Sequence, residues 1–172
     1  EERWFASGLA VTGETVDLCG RQVPFGTDLL FESGGAVVGI ELCEDLWVPI
    51  PPSSYQARQG ADILLNLSAT NELIGKHHYL LSLLQQQSAR CLAGYVYASA
   101  GFGESSTDLV FAGNGIVVEN GSVLAQTERF VQAPRLAVSE IDVERLRSER
   151  RVKNSFAQGF DPKEHPVRRI PF

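Results

Sequence analysis

The chain is 172 residues long, 44% of them hydrophobic, with 15 basic against 21 acidic side chains and a formal net charge of −6. A chain of this length buries about two-thirds of its unfolded surface in one domain, which argues against disorder. The acidic balance leaves no basic field to condense on phosphates, so generic nucleic-acid or anionic-membrane binding is disfavoured, and no apolar run approaches the roughly 20 residues of a bilayer span. The 3 cysteines, Cys19, Cys43 and Cys91, match no zinc or disulfide spacing, so a reducing cytoplasm is the expected compartment. The histidines His77, His78 and His165 offer no HExxH pattern, and no metal site is expected. Glu1-Glu2-Arg3-Trp4-Phe5 has no apolar stretch of a signal peptide, and the chain contains no methionine, so we expect a piece of something longer.

In chain order, residues 15–23 and 29–31 read as short extended segments, and Gly34-Gly35 as a hairpin-like turn into the apolar run 36–42. A run this uniformly apolar suits a strand covered on both faces. Residues 53–60 read as a helix with a serine at its start and Gly60 at its end. Residues 62–67 are a second buried strand. From 72 to 92, Leu73, Leu80, Leu81, Leu84, Cys91 and Leu92 fall near helical period, and Gly94 separates that helix from a third strand, 95–100. Strands are further expected at 108–112, 115–118 and 123–125, with Asn120-Gly121 as a type I′ turn, and at 136–141. A short charged helix follows at 143–151. Residues 154–172, with Pro162, Pro166 and Pro171, read as an extended arm or linker whose order depends on a partner. Alternating strands and helices give the α/β class.

Cys43 is the sharpest chemical feature: it stands where a buried strand stops and is followed at once by two carboxylates, Glu44 and Asp45. Such an elbow projects a nucleophile from a sheet edge. The competing reading makes Cys43 a small buried hydrophobe and the two acids a solvated turn. Adjacent His77 and His78 point about 100° apart on a helix and are read as surface or interface residues. Glu104, Ser105, Ser106 and Asp108, in a Gly-rich loop, are read as passive loop residues before site residues. Ser33-Gly34-Gly35 lacks the Asp and Ser of an ATP-pyrophosphatase loop and is read as a turn.

Gly39-Ile40-Glu41-Leu42-Cys43-Glu44-Asp45-Leu46-Trp47 resembles the nucleophile segment of the nitrilase superfamily, and its Cys-Glu-Asp-Leu-Trp form resembles the glutaminase branch found in glutamine-dependent NAD⁺ synthetases. The similarity continues through Asp62-Ile63-Leu64-Leu65-Asn66-Leu67-Ser68-Ala69, through Gln87-Ser88-Ala89-Arg90-Cys91-Leu92-Ala93-Gly94-Tyr95-Val96-Tyr97 and through Leu146-Arg147-Ser148-Glu149-Arg150, so residues 1–153 are taken as the partial hydrolase domain. The resemblance implies a nitrilase-like αββα four-layer sandwich with its N-terminal portion missing, paired into homo-oligomers, and a Glu-Lys-Cys triad. Cys43 takes the nucleophile's place. The Glu base and the Lys lie upstream in the family and cannot be placed here, since the first lysine is Lys76. The isolated chain is therefore expected to be inactive.

The same resemblance implies L-glutamine as substrate, with Glu44, Trp47, Thr70 and Lys76 at the positions that bind it. Glu44, Trp47 and Lys76 have plainer alternatives: a solvated turn acid, a core tryptophan and a solvated helix lysine. No cofactor is implied for glutamine hydrolysis. ATP and Mg²⁺ belong to a synthetase domain that this chain lacks, where released ammonia would amidate deamido-NAD⁺. Two alternatives remain open: another nitrilase-like amidase or ω-amidase acting on a small amide, and a non-catalytic interaction module that kept the fold.

Overall fold

The computed structural model describes residues 6–101, 103–105 and 107–172. The opening segment Glu1-Glu2-Arg3-Trp4-Phe5 and Ser106 of the Gly-rich loop lie outside the described residues. The architecture is mixed α/β, built on a seven-stranded sheet and a separate two-stranded hairpin.

The hairpin pairs β1 (Glu14–Leu18) with β2 (Arg21–Phe25) around a Cys19-Gly20 turn in which both residues have positive φ. The large sheet contains β3 (Leu29–Ser33), β4 (Ala36–Leu42), β5 (Ile63–Ser68), β6 (Gly94–Ser99), β7 (Gly115–Glu119), β8 (Ser122–Gln126) and β9 (Arg168–Pro171), in the spatial order β8-β7-β6-β5-β4-β3-β9. Gly34 and Gly35, at φ 58° and 82°, make the tight β3–β4 turn, and Asn120 and Gly121, at φ 44° and 87°, make the expected β7–β8 turn. The middle strands β4, β5 and β6 run parallel, each pair joined by a crossover through a helix.

Helices α1 (Pro52–Arg58) and α2 (Lys76–Cys91) pack on one face of the sheet. The pleat explains why. On β4, Val37, Gly39 and Glu41 point inward, while Val38, Ile40 and Leu42 point to the other face. Leu30, Val37, Leu64, Tyr95, Leu80 and Leu84 share the resulting core, in which each fully buried leucine contributes about 1.5–3 kcal/mol. A Cβ at Gly39 would sit 2.4 Å from the Gln56 Oε1 atom of α1, so the Gln56 side chain would have to move to admit one. On the opposite face Ile40, Leu42 and Leu67 stay 38%, 58% and 58% exposed. Among the described residues, then, one main sheet and its helical layer account for two layers of the expected sandwich.

Helix α3 (Val143–Val152) straps the amino-terminal ends of the parallel strands. Arg147 reaches Asp62, just before β5, and the Gly35 carbonyl before β4; Arg150 donates to the Ala61 and Leu92 carbonyls. The strap leaves the carboxyl ends of β4, β5 and β6 free of α3, and in open α/β sheets those ends are where ligands bind.

Several expectations need correction. The long helix begins at Lys76 rather than 72, because residues 69–75 form a loop in which Leu73 and Ile74 face solvent. The serine expected to cap α1 lies inside it, after Pro51 and Pro52, and its backbone N–H is taken up by Glu41. Residues 108–112 and 136–141 form no strand; Leu136 and Val138 are exposed, and Ile141 instead packs over Gly94. A one-turn 3₁₀ helix (Asn154–Phe156) precedes a segment held to α1 by Gln59, and β9 adds to β3 in parallel.

Candidate active site

The carboxyl end of β4 turns abruptly. Cys43 opens a 3₁₀ turn (Cys43–Trp47) with φ at 48°, a left-handed conformation that costs a residue with a Cβ about 1–2 kcal/mol. Neighbours hold it there. The Leu42 N–H donates to Asp45 Oδ2 at 2.8 Å, the Asn66 Nδ2 donates to the Cys43 carbonyl at 3.4 Å, and Ser68 Oγ fixes Asn66 through Oδ1 at 2.6 Å. Leu46, 2% exposed, pins the turn to the core. The elbow read from the sequence is thus a strained one, and strain of this kind gathers at functional sites.

Beneath the elbow lies a buried polar network that the sequence reading passed over. Glu41, 3% exposed, accepts from the Ser53 N–H at 2.8 Å and from the Tyr95 hydroxyl. Ser53 Oγ in turn accepts from Gln87 Nε2 at 2.9 Å, and Gln87 also reaches Ser54 and Cys91. Burial raises the Glu41 carboxyl above the ordinary carboxylate range, against the Tyr95 and Ser53 hydrogen bonds that lower it. Tyr95 is raised too, by burial and then by Glu41. The signal was present in the strand: Glu41 alternates with Val37 and Gly39, on the inward side of the pleat.

The three thiols are thereby distinguished. Burial and the neighbouring Glu41 charge push Cys91 up to about 12, so it is a silent core thiol. Cys19 is exposed on the separate hairpin. Cys43 alone stands half-buried at the strand end.

The structure draws two of the remaining candidates together. Lys76, the first residue of α2, places its Nζ 5.3 Å from the centroid of the Trp47 ring, a cation–π distance. The same Nζ donates to Asn71 Oδ1 at 2.7 Å, and Tyr79 packs on Trp47 with centroids 5.4 Å apart. Asn71 and Tyr79 had no sequence signal beyond their proximity to Lys76. Glu44 is exposed on the Cys43 turn, and Thr70 is half-buried just past the end of β5. Among the described residues, Lys76 and Glu44 each form no ion pair.

The other singled-out residues have different partners. Glu72 is held by Arg129 and Asn114, at 2.8 and 2.9 Å. His77 sits 3.2 Å from Gln126, and burial followed by the Arg129 charge lowers its pKa. Glu104 folds back on the Gly101 N–H at 2.5 Å, and Asp108 accepts from Thr107 at 2.9 Å. Among the described residues no group of three His, Cys, Asp or Glu side chains could hold a metal ion. A cavity of about 650 Å³ lies elsewhere, between α1, the end of α2 and the 154–158 segment, lined by Ile50, Arg58, Cys91 and Phe156.

Comparison with known proteins gives this geometry its context. The carbon-nitrogen hydrolase signature matches residues 10–151, spanning β1 through most of α3 and including the Cys43 elbow. The chain belongs to the carbon-nitrogen hydrolase family. It is 47% identical over 153 residues to the glutamine-dependent NAD(+) synthetase of Mycobacterium tuberculosis, covering 87% of this chain and 22% of that protein. Against the Mycobacterium leprae counterpart the identity is 42% over 180 residues, covering 100% of this chain and 26% of the relative. The chain therefore spans about a quarter or less of the length of these curated relatives. Among solved structures, a glutamine-dependent NAD(+) synthetase from Cytophaga hutchinsonii superposes with a TM-score of 0.63 at 26% identity, over 74% of this chain and 20% of that one. Saccharomyces cerevisiae Nit3, of the nitrilase superfamily, shares the fold with a TM-score of 0.61 at 20% identity, over 77% of this chain and 47% of that one.

Proposed function

We propose that this chain is the nucleophile-bearing part of a glutaminase domain, releasing ammonia from L-glutamine inside a larger glutamine-dependent NAD⁺ synthetase. The observation that carries the reading is Cys43, a non-glycine residue held at φ 48° at the carboxyl end of a parallel strand, within the stretch matched by the hydrolase family. A thiol at such an elbow stands clear of the sheet, open to a substrate carbonyl.

In the proposed reaction the Cys43 sulfur attacks the side-chain amide carbon of glutamine and forms a tetrahedral intermediate. The C–N bond breaks, nitrogen takes up a proton, and ammonia leaves a γ-glutamyl thioester. Water then attacks that carbonyl, the C–S bond breaks, and glutamate departs as the thiol regains its proton. The family's Glu and Lys, which carry protons and steady the oxyanion, are supplied by the upstream part of the full-length protein. The chain's own contribution is the grip on the amino acid's other end. Among the described residues neither Lys76 nor the exposed Glu44 has an ion-pair partner; Lys76 meets the α-carboxylate, Glu44 meets the α-amino group, Trp47 walls the aliphatic stem, and Thr70 offers a hydroxyl. A cation and an anion that form no ion pair among the described residues suit a zwitterion better than a simple amide. The freed ammonia serves ATP-dependent amidation of deamido-NAD⁺ in another domain of the same protein.

The test measures glutamate and ammonia released from glutamine by the full-length protein, by its Cys43→Ser variant, and by these 172 residues alone. Turnover in the first and none in the second supports the reading; undiminished turnover in Cys43→Ser ends it. The isolated chain is expected to show little activity, and turnover equal to the full-length protein would contradict the upstream assignment of the Glu and Lys.

A further inference from the structure

Lys76 is a half-buried ammonium whose partners among the described residues are all neutral: the Asn71 side-chain oxygen at 2.7 Å and the Trp47 ring at 5.3 Å. The nearest acid in sequence, Glu72, is spent on Arg129 and Asn114. A cation so placed lacks a counter-ion, and an ammonium supplies only a point charge, whereas a carboxylate is best gripped by two parallel donors in one plane.

Asn71 supplies the missing geometry. Lysine has donors and no acceptor, so the amide atom facing Nζ must be Oδ1. That leaves the Asn71 Nδ2, on the other arm of the same planar amide, with N–H groups that no described residue accepts. We infer that Asn71 is a substrate-binding residue that acts as a pair with Lys76, the ammonium and the amide N–H together presenting to one carboxylate the two donors that a single guanidinium would offer. Asn71 thus orients Lys76 through Oδ1 and touches the α-carboxylate through Nδ2. The Trp47 face limits where Nζ can go and places the pair beside the last residue of the turn that Cys43 opens.

This inference rests on the glutamine reading, and its test separates the two. The full-length protein carrying Cys43→Ser, which cannot turn over, is titrated by calorimetry with L-glutamine and with its α-amide, in which the carboxylate is replaced by a neutral group. A preference for glutamine over the α-amide is expected. Asn71→Ala should weaken glutamine about tenfold, the worth of one hydrogen bond to a charged group, and leave the α-amide within about twofold. Adding Lys76→Arg to Asn71→Ala should restore most of the loss, because a guanidinium brings both donors itself. Asn71→Asp, of unchanged shape, should abolish the preference by giving Lys76 its own carboxylate. Equal binding of the two ligands before any change at Asn71 overturns both readings. An undiminished preference in Asn71→Ala or in Asn71→Asp, a loss shared equally by both ligands, or no recovery with Lys76→Arg overturns the assignment of Asn71 alone.

Discussion

The left-handed backbone of Cys43 makes a prediction whose sign decides it. At φ 48° a residue with a Cβ bears about 1–2 kcal/mol that glycine does not. Glycine, however, has more freedom in the unfolded chain, a disadvantage of about 0.5–1 kcal/mol against alanine. Comparing Cys43→Gly with Cys43→Ala cancels the loss of the sulfur, common to both, and leaves the difference of these two effects. Cys43→Gly should therefore be the more stable variant, by up to about 1.5 kcal/mol. Urea unfolding followed by circular dichroism reads this as a higher midpoint at unchanged slope. Were Cys43 in ordinary extended or helical backbone, the order would reverse, with alanine ahead by a similar amount. That reversal would refute the strained elbow.

Other expectations follow from the same structure. Because burial raises Glu41, the native state holds its proton more tightly than the unfolded chain does; its contribution is full in acid and is lost as pH climbs from the ordinary carboxylate range through the raised value. Glu41→Gln, always neutral, should lack that part of the slope, and superimposable stability–pH curves for the two proteins would contradict the buried carboxyl. Asp62→Ala should cost about 2–3 kcal/mol in urea unfolding, since Val37 N–H loses its acceptor and the largely buried Arg150 its ion-pair partner; this falls below the cost of a fully buried pair because Arg147 is 39% exposed and regains water. In the full-length protein, Lys76→Ala should raise the KM for glutamine at least about tenfold with little change in kcat, as loss of uniform binding requires; a fall in kcat at constant KM would move Lys76 from binding to chemistry.

The elbow was legible because its determinants are local: an apolar strand, then Cys43-Glu44-Asp45, with no residue between them to continue the strand. The glycine turns were legible for the same reason, since positive φ at Gly34-Gly35 and Asn120-Gly121 is a property of those residues alone. Long-range partners were not. The α3 strap depends on Arg147 meeting Asp62 across 85 positions, and β9 reads as a proline-rich tail until β3 offers it an edge. Residues 136–141 show the opposite failure: strand-like composition without a neighbour to pair, so that Ile141 is spent packing on Gly94 instead. Lys76 and Trp47 could be named separately, but only the fold brings the start of α2 to Trp47 and sets Asn71 on the same ammonium.

The central claim is that Cys43 is a nucleophile addressed by glutamine. It is tested most directly by treating the full-length protein with a glutamine-analogue electrophile and locating the adduct by peptide mass spectrometry. One adduct on Cys43, suppressed by excess glutamine, with exposed Cys19 and buried Cys91 unmodified, is the result predicted. Labelling of Cys19 at the rate of Cys43, or labelling of Cys43 that glutamine does not slow, would contradict it.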